Sequence, residues 1–225
     1  MTQLREVNPV TTERPVYVGS LKEIIFDDPP DIPTRNVMDF TLVYWDTTLK
    51  AASVGSKRNW EKHQIRRNLS EQLENLWKVS PSLRSFDQRG EIQDAHAKNY
   101  ERGGIEFVPL VVEKWGLLCN LDITFLRPGV PGQIVSDSGD IDNRLKTLLD
   151  ALRVPKDMNE MSLSPGESNP KRIYCLLEDD KLITGIRVTT DRLLVPNTAK
   201  DSEACVSIHV SIRGASILSP WDFQW

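Results

Sequence analysis

Three separated stretches of the chain place an apolar residue at every second position, and this alternation restricts the fold more than any other feature. Met38, Phe40, Leu42 and Tyr44 alternate with Asp39, Thr41, Val43 and Trp45. Cys119, Leu121, Ile123 and Phe125 alternate with Asn120, Asp122 and Thr124, and Val206, Ile208, Val210 and Ile212 with Ser207, His209 and Ser211. Successive side chains of a strand point to opposite faces, so each stretch predicts a strand with one apolar face. Those faces need a cover, and two amphipathic helices are predicted to supply it. After Gly55, Ile65, Leu69, Leu73 and Leu76 recur at i, i+4, i+8 and i+11, while Ile141, Leu145, Leu148, Leu149 and Leu152 share one face of SGDIDNRLKTLLDAL. Residues 106–126, IYCLL and KLITGIRV read as further strands, the last two flanking Glu178-Asp179-Asp180. The predicted fold class is α+β: a single domain with a mixed β-sheet packed by two main helices.

The remaining segments are read as additions to that core. Pro9, Pro15, Pro29, Pro30 and Pro33 crowd residues 1–36, which predicts an N-terminal arm with one short ordered piece at Val16 to Phe26, ahead of a domain over 37–225. Polar residues 79–105 end in Gly103-Gly104 and read as a long connection holding a short helix around Ile92 to Tyr100; residues 154–172 read as an inserted loop. A chain of 225 residues, 39% hydrophobic and 27% charged, can bury one core and is not disordered throughout. It has no run approaching the ~18–20 apolar residues of a membrane helix, and its first residues, MTQLREVNPVTTERPV, contain no apolar signal segment. The expectation is a soluble, cytoplasmic protein with no membrane partner. Cys119, Cys175 and Cys205 are scattered within apolar runs, which predicts buried reduced thiols rather than disulfides or a metal site. His63, His96 and His209 are too dispersed for a nucleophile triad.

Two acidic motifs carry the chemistry. Asp140 and Asp142 stand at the start of the second helix, with Asn143 beside them and Lys146 one turn later; Glu178, Asp179 and Asp180 form the second group. Each has an ordinary structural account alone. A helix start favours Asp as cap and dipole partner, Asp142, Lys146 and Asp150 have the spacing of a surface ion ladder, and three acids between strands can be a charged hairpin turn. Together they suit a hard divalent cation, which takes a few carboxylate oxygens from separate elements and relieves their repulsion. Lys146 is then placed to orient water or neutralise a transferring phosphate.

The run GDIDNRLKTLLDAL followed by LEDDKLI resembles the RusA-type Holliday junction resolvases, which share a D-[hydrophobic]-D-N start, a Lys four residues after the second Asp, a D-A-L helix end and a later D-D-x-x-[hydrophobic]. The similarity runs loosely over 38–66, well over 117–152 and moderately over 173–213. It implies that Asp140, Asp142 and Asp180 bind Mg²⁺, which Mn²⁺ can replace, with Asp179 a further candidate ligand. It implies that Lys146 is the catalytic lysine, and that the protein is a homodimer cutting branched DNA in a bacterial or phage-derived setting. The expected activity is Mg²⁺-dependent, structure-selective endodeoxyribonuclease action. The alternative is a non-catalytic DNA-binding or assembly module on the same scaffold; carboxylate catalysis on glycosides is a third, weaker reading. The arm and the insertions at about 79–105 and 154–172 make this chain longer than the family's compact members, and substrate choice is expected to be decided there.

The formal charge is −4, from 28 Lys+Arg and 32 Asp+Glu, which argues against duplex DNA as a partner on average. Locally the balance reverses: Lys57, Arg58, Lys62, Arg66 and Arg67 crowd KRNWEKHQIRR against the single acid Glu61. Arg58, Lys62 and Arg66 recur every four residues, so the expectation is a basic helix face contacting phosphates, with Trp60 and His63 interleaved to stack on a base or to cover the core's edge. The C-terminal Trp221, Phe223 and Trp225 read as core closure.

Overall fold

The computed structural model describes residues 36–46, 56–127, 141–161, 170–194 and 204–214. These all lie within one compact unit, Thr34–Trp225. The predicted arm, its piece at Val16 to Phe26 and the C-terminal aromatics fall outside the described residues.

All three alternating stretches are strands: β1 (Asn36–Asp46), β3 (Leu117–Arg127) and β6 (Ala204–Gly214). With β5 (Ile183–Arg192) they form one mixed sheet in the order β1-β6-β3-β5, antiparallel except for the parallel pair β3 and β5. The registers align the inward residues into rows, Phe40 with Val210 and Leu121, Leu42 with Ile208 and Ile123, Tyr44 with Val206 and Phe125. Helix α1 (Ser56–Val79) lays Ile65, Leu69, Leu73 and Trp77 on this face, and α4 (Ile141–Leu152) adds Leu148 and Leu152. Each such side chain contributes roughly 1.5–3 kcal/mol on burial, against ~0–1 for an exposed ion pair, so the apolar rows hold the domain together. Cys119, Cys175 and Cys205 are free, buried thiols, with burial pushing Cys119 and Cys175 up to about 12.

Two expectations need correction. The 79–105 connection is largely helical: the short helix expected around Ile92 to Tyr100 is α3 (Glu91–Asn99), and a further helix, α2 (Pro81–Phe86), precedes it, giving four α-helices among the described residues. Ser80-Pro81 starts α2, with Pro at the first helical position and the Ser80 hydroxyl accepting from Leu83 N. Asp87 then caps α3, accepting from Ile92 N and Gln93 N at 3.1 Å each.

Second, Glu178-Asp179-Asp180 is not a hairpin turn. β4 (Arg172–Leu177) pairs in parallel with β2 (Glu106–Val111) in a separate two-stranded ladder, whereas β5 pairs with β3. The three acids therefore mark where the chain leaves one ladder for another. None of the described helices is long and apolar enough to cross a membrane.

Candidate active site

Burial of Leu148 and Leu152, with Ile141, Leu145 and Leu149 partly covered, fixes which side of α4 faces out. Lys146 and Asn143 are on the exposed side. Asp142 belongs to the first turn of α4, one turn before Lys146, and Asp140 immediately precedes the helix. Asp140 and the Asp142 side chain lie outside the described residues.

At the end of β4, the three acids have different work. Glu178 accepts from Glu113 N at 2.9 Å, tying the end of β4 to the 3-10 turn Glu113–Trp115. Burial and then the Glu178 charge push Tyr100 up to about 12. Asp179 caps the 3-10 turn Asp180–Leu182 by accepting from Lys181 N at 3.0 Å. That amide, with the charges of Lys156 and Lys181, holds its carboxyl below the usual range, against an opposing effect of burial. Asp180 keeps 45% of its side chain exposed, 4.0 Å from Arg153 Nε. It borders a cleft of about 540 Å³ shared with Leu149, Lys181, Ile183 and Thr184.

The basic segment is where the structure departs most from the sequence reading. Lys62 and Arg66 are 7% and 1% exposed, so the predicted phosphate-binding stripe is corrected at these two positions. They face α4. Lys62 Nζ pairs with Asp150 Oδ2 at 2.6 Å. Arg66 donates from Nε to the Arg153 carbonyl at 3.2 Å and from Nη2 to the Asp150 carbonyl at 2.9 Å, thereby capping the C-terminus of α4. Arg153 in turn binds Asp150 at 3.1 Å and Glu160 at 3.0 Å through Nη2, and the Val154 carbonyl through Nη1. Asp150 is thus a buried junction between helices, not the end of a surface ladder with Asp142 and Lys146. Burial acts to raise its carboxyl, but Lys62 and Arg153 together pull it below the ordinary range.

Among the other segment residues, His63 is fully buried, which assigns it to the core, while Trp60 is half-buried. Arg67 is partly exposed and lines an open cleft of about 500 Å³ with Tyr44, Trp45, Gln64 and Asn68. Lys57 and Arg58 occupy the first turn of α1, and their side chains lie outside the described residues.

What is brought together is therefore Asp179, Asp180, Arg153, Asp150, Glu160, Lys62 and Arg66. Asp180 meets the second half of α4; Asp142 precedes Leu149 by seven residues, about 10 Å along the helix axis. Among the described residues no three of His, Cys, Asp and Glu come together as a metal site. The donor chemistry at Asp179 and Asp180 nonetheless fits a hard cation. They are adjacent carboxylates at the end of β4, one capping the 3-10 turn and the other 45% exposed, and carboxylate oxygens are what a hard cation takes.

Sequence reasoning missed Arg153 and Glu160. The i, i+3 spacing of Asp150 and Arg153 at a helix end was the available signal, but the approach of α1 that buries the pair has no local sequence signature. Compared with known proteins, the chain matches no family model, no curated protein and no solved structure.

Proposed function

We propose that the protein is a Mg²⁺-dependent, structure-selective endodeoxyribonuclease of the RusA type, acting on Holliday junctions or related branched DNA. The observation that carries the reading is the pair of adjacent carboxylates, Asp179 and Asp180, at the end of β4, in a chain where Asp140 precedes α4 in sequence, Asp142 falls in its first turn and Lys146 is exposed on it. Asp140, Asp142 and Asp180 would hold the cation, with Asp179 beside them. A bound Mg²⁺ supplies Lewis-acid polarisation of a phosphoryl oxygen and a more acidic water. Lys146 presents its ammonium to the phosphate and offsets charge as the phosphodiester oxygens become more negative. Phosphate contact falls to Lys57, Arg58 and Arg67, because Lys62 and Arg66 are committed to the fold. A homodimer would set two such sites on opposed strands of a junction.

The test is incision of synthetic four-way junctions with Mg²⁺ or Mn²⁺. Cleavage by wild type, lost in Asp142→Asn and Asp180→Asn, is the expected result. Absence of incision with either metal, or cleavage unchanged in both variants, would sink the proposal. A second reading, a binding module without catalysis, draws on the position of Asp180 against the later half of α4; junction binding without cleavage would favour it.

A further inference from the structure

The ion-paired set behind α4 joins three buried cations, Lys62, Arg66 and Arg153, to two partly buried acids, Asp150 and Glu160. A buried cationic donor left without an acceptor is costly. Arg153 carries one. It is 3% exposed, its Nη1 and Nη2 are engaged, and its buried Nε has no hydrogen-bond partner among the described residues. The acid facing that donor is Asp180, whose Oδ2 stands 4.0 Å from Nε, beyond hydrogen-bond distance.

We infer that Arg153 is a positioning residue for Asp180: its Nε–H takes one carboxylate oxygen and aims the other at the cation. This rests on the proposed function, because it assigns Asp180 to the metal. The geometry gives each group one task. Asp180 is exposed and reaches solvent and substrate; Arg153 is buried and reaches neither, so its influence passes through the carboxylate. Asp150 and Glu160 hold Nη2 and the Val154 carbonyl holds Nη1, leaving Nε as the donor still to be met. Closing the gap from 4.0 Å to a hydrogen bond of ~2.9 Å satisfies the last Arg153 donor and fixes the carboxylate orientation in one movement. Carboxylates that ligate metals are commonly oriented by such outer contacts, whose loss weakens metal affinity by roughly 10–100-fold.

The experiment is Mn²⁺ binding to the full chain, without DNA, followed by electron paramagnetic resonance for wild type, Arg153→Lys, Asp180→Asn and the double variant. Arg153→Lys keeps the charge but removes the fork, and is expected to weaken Mn²⁺ binding about tenfold. In the Asp180→Asn background the same change is expected to do nothing more, because the coupling runs through that carboxylate. A general loosening of the fold would weaken binding in both backgrounds and would overturn the inference, as would wild-type affinity in Arg153→Lys. Should Arg153→Lys fail to fold, the wild-type Arg153 Nε–H is followed by nitrogen-15 NMR as Mg²⁺ is added. Its proton resonance is expected to move downfield as the bond to Asp180 forms, and an unmoved resonance would refute the coupling. Wild type that neither binds Mn²⁺ nor cuts junctions refutes the proposed function and this inference together; wild type that binds, with variants that bind equally, refutes the inference alone.

Discussion

Replacing Asp150 by Asn removes one negative charge with little change of shape, from the point where α1 and α4 meet. In the native protein this carboxylate is 13% exposed and holds Lys62 at 2.6 Å and Arg153 at 3.1 Å, both of them more than 90% buried. The variant leaves two buried cations facing an amide, with Glu160 the remaining close acid for Arg153. Breaking a buried pair by removing one partner costs about 3–5 kcal/mol, since the survivor stays desolvated and uncompensated. For a unit the size of Thr34–Trp225 this lowers Tm by roughly 6–20 °C. Urea unfolding at pH 7 measures the free energy directly. The pH dependence supplies an independent check. The folded-state pKa of Asp150 lies below its unfolded value, so its contribution is complete above about pH 4 and is lost as pH falls through the folded value. The wild-type advantage over Asp150→Asn should therefore hold from pH 7 to about 5 and shrink below 4. Adding Lys62→Met to Asp150→Asn removes one stranded charge and should recover part of the loss. A cost below about 1 kcal/mol, typical of exposed pairs, or an advantage that grows on acidification, would refute the account of a buried network.

Two further outcomes concern α3 and the edge of β1. His96 is buried, stacked on Trp115 at 4.3 Å and bonded to the Pro109 carbonyl, and burial, with the Lys114 charge, lowers its pKa. The unfolded chain then binds a proton first, so stability present above about pH 6.5 declines as pH falls toward the folded value; the urea midpoint should drop more between pH 7.5 and 5.5 for wild type than for His96→Gln. Gln72 bonds both the N–H and C=O of Val43 at 3.0 and 2.7 Å, acting as a one-residue extra strand. Gln72→Leu should cost about 1 kcal/mol and speed Val43 amide exchange about fivefold, and unchanged exchange would contradict that role.

The strands at β1, β3 and β6 and the apolar stripes of α1 and α4 were legible because their periods are local: every inward residue predicted for β6, from Val206 to Ile212, is buried. The short helix expected around Ile92 is α3, whereas α2 was obscured because Ser and Pro serve helix starts as readily as turns, and short helices take much of their stability from what they pack against. The acidic and basic positions were visible as letters but not as environments. The sequence by itself determined the sheet's inward face and the two main amphipathic helices, and it displayed Asp140, Asp142, Asp179 and Asp180 as acidic letters in two motifs. Only the tertiary structure decided that Lys62 and Arg66 serve α4 rather than solvent, that Glu178 ties loops together, and that Arg153 stands behind Asp180. A helix carrying cations on several faces does not encode which of them meets its neighbour; that choice follows from where the apolar stripe docks, and charges beside the docked stripe are buried with it.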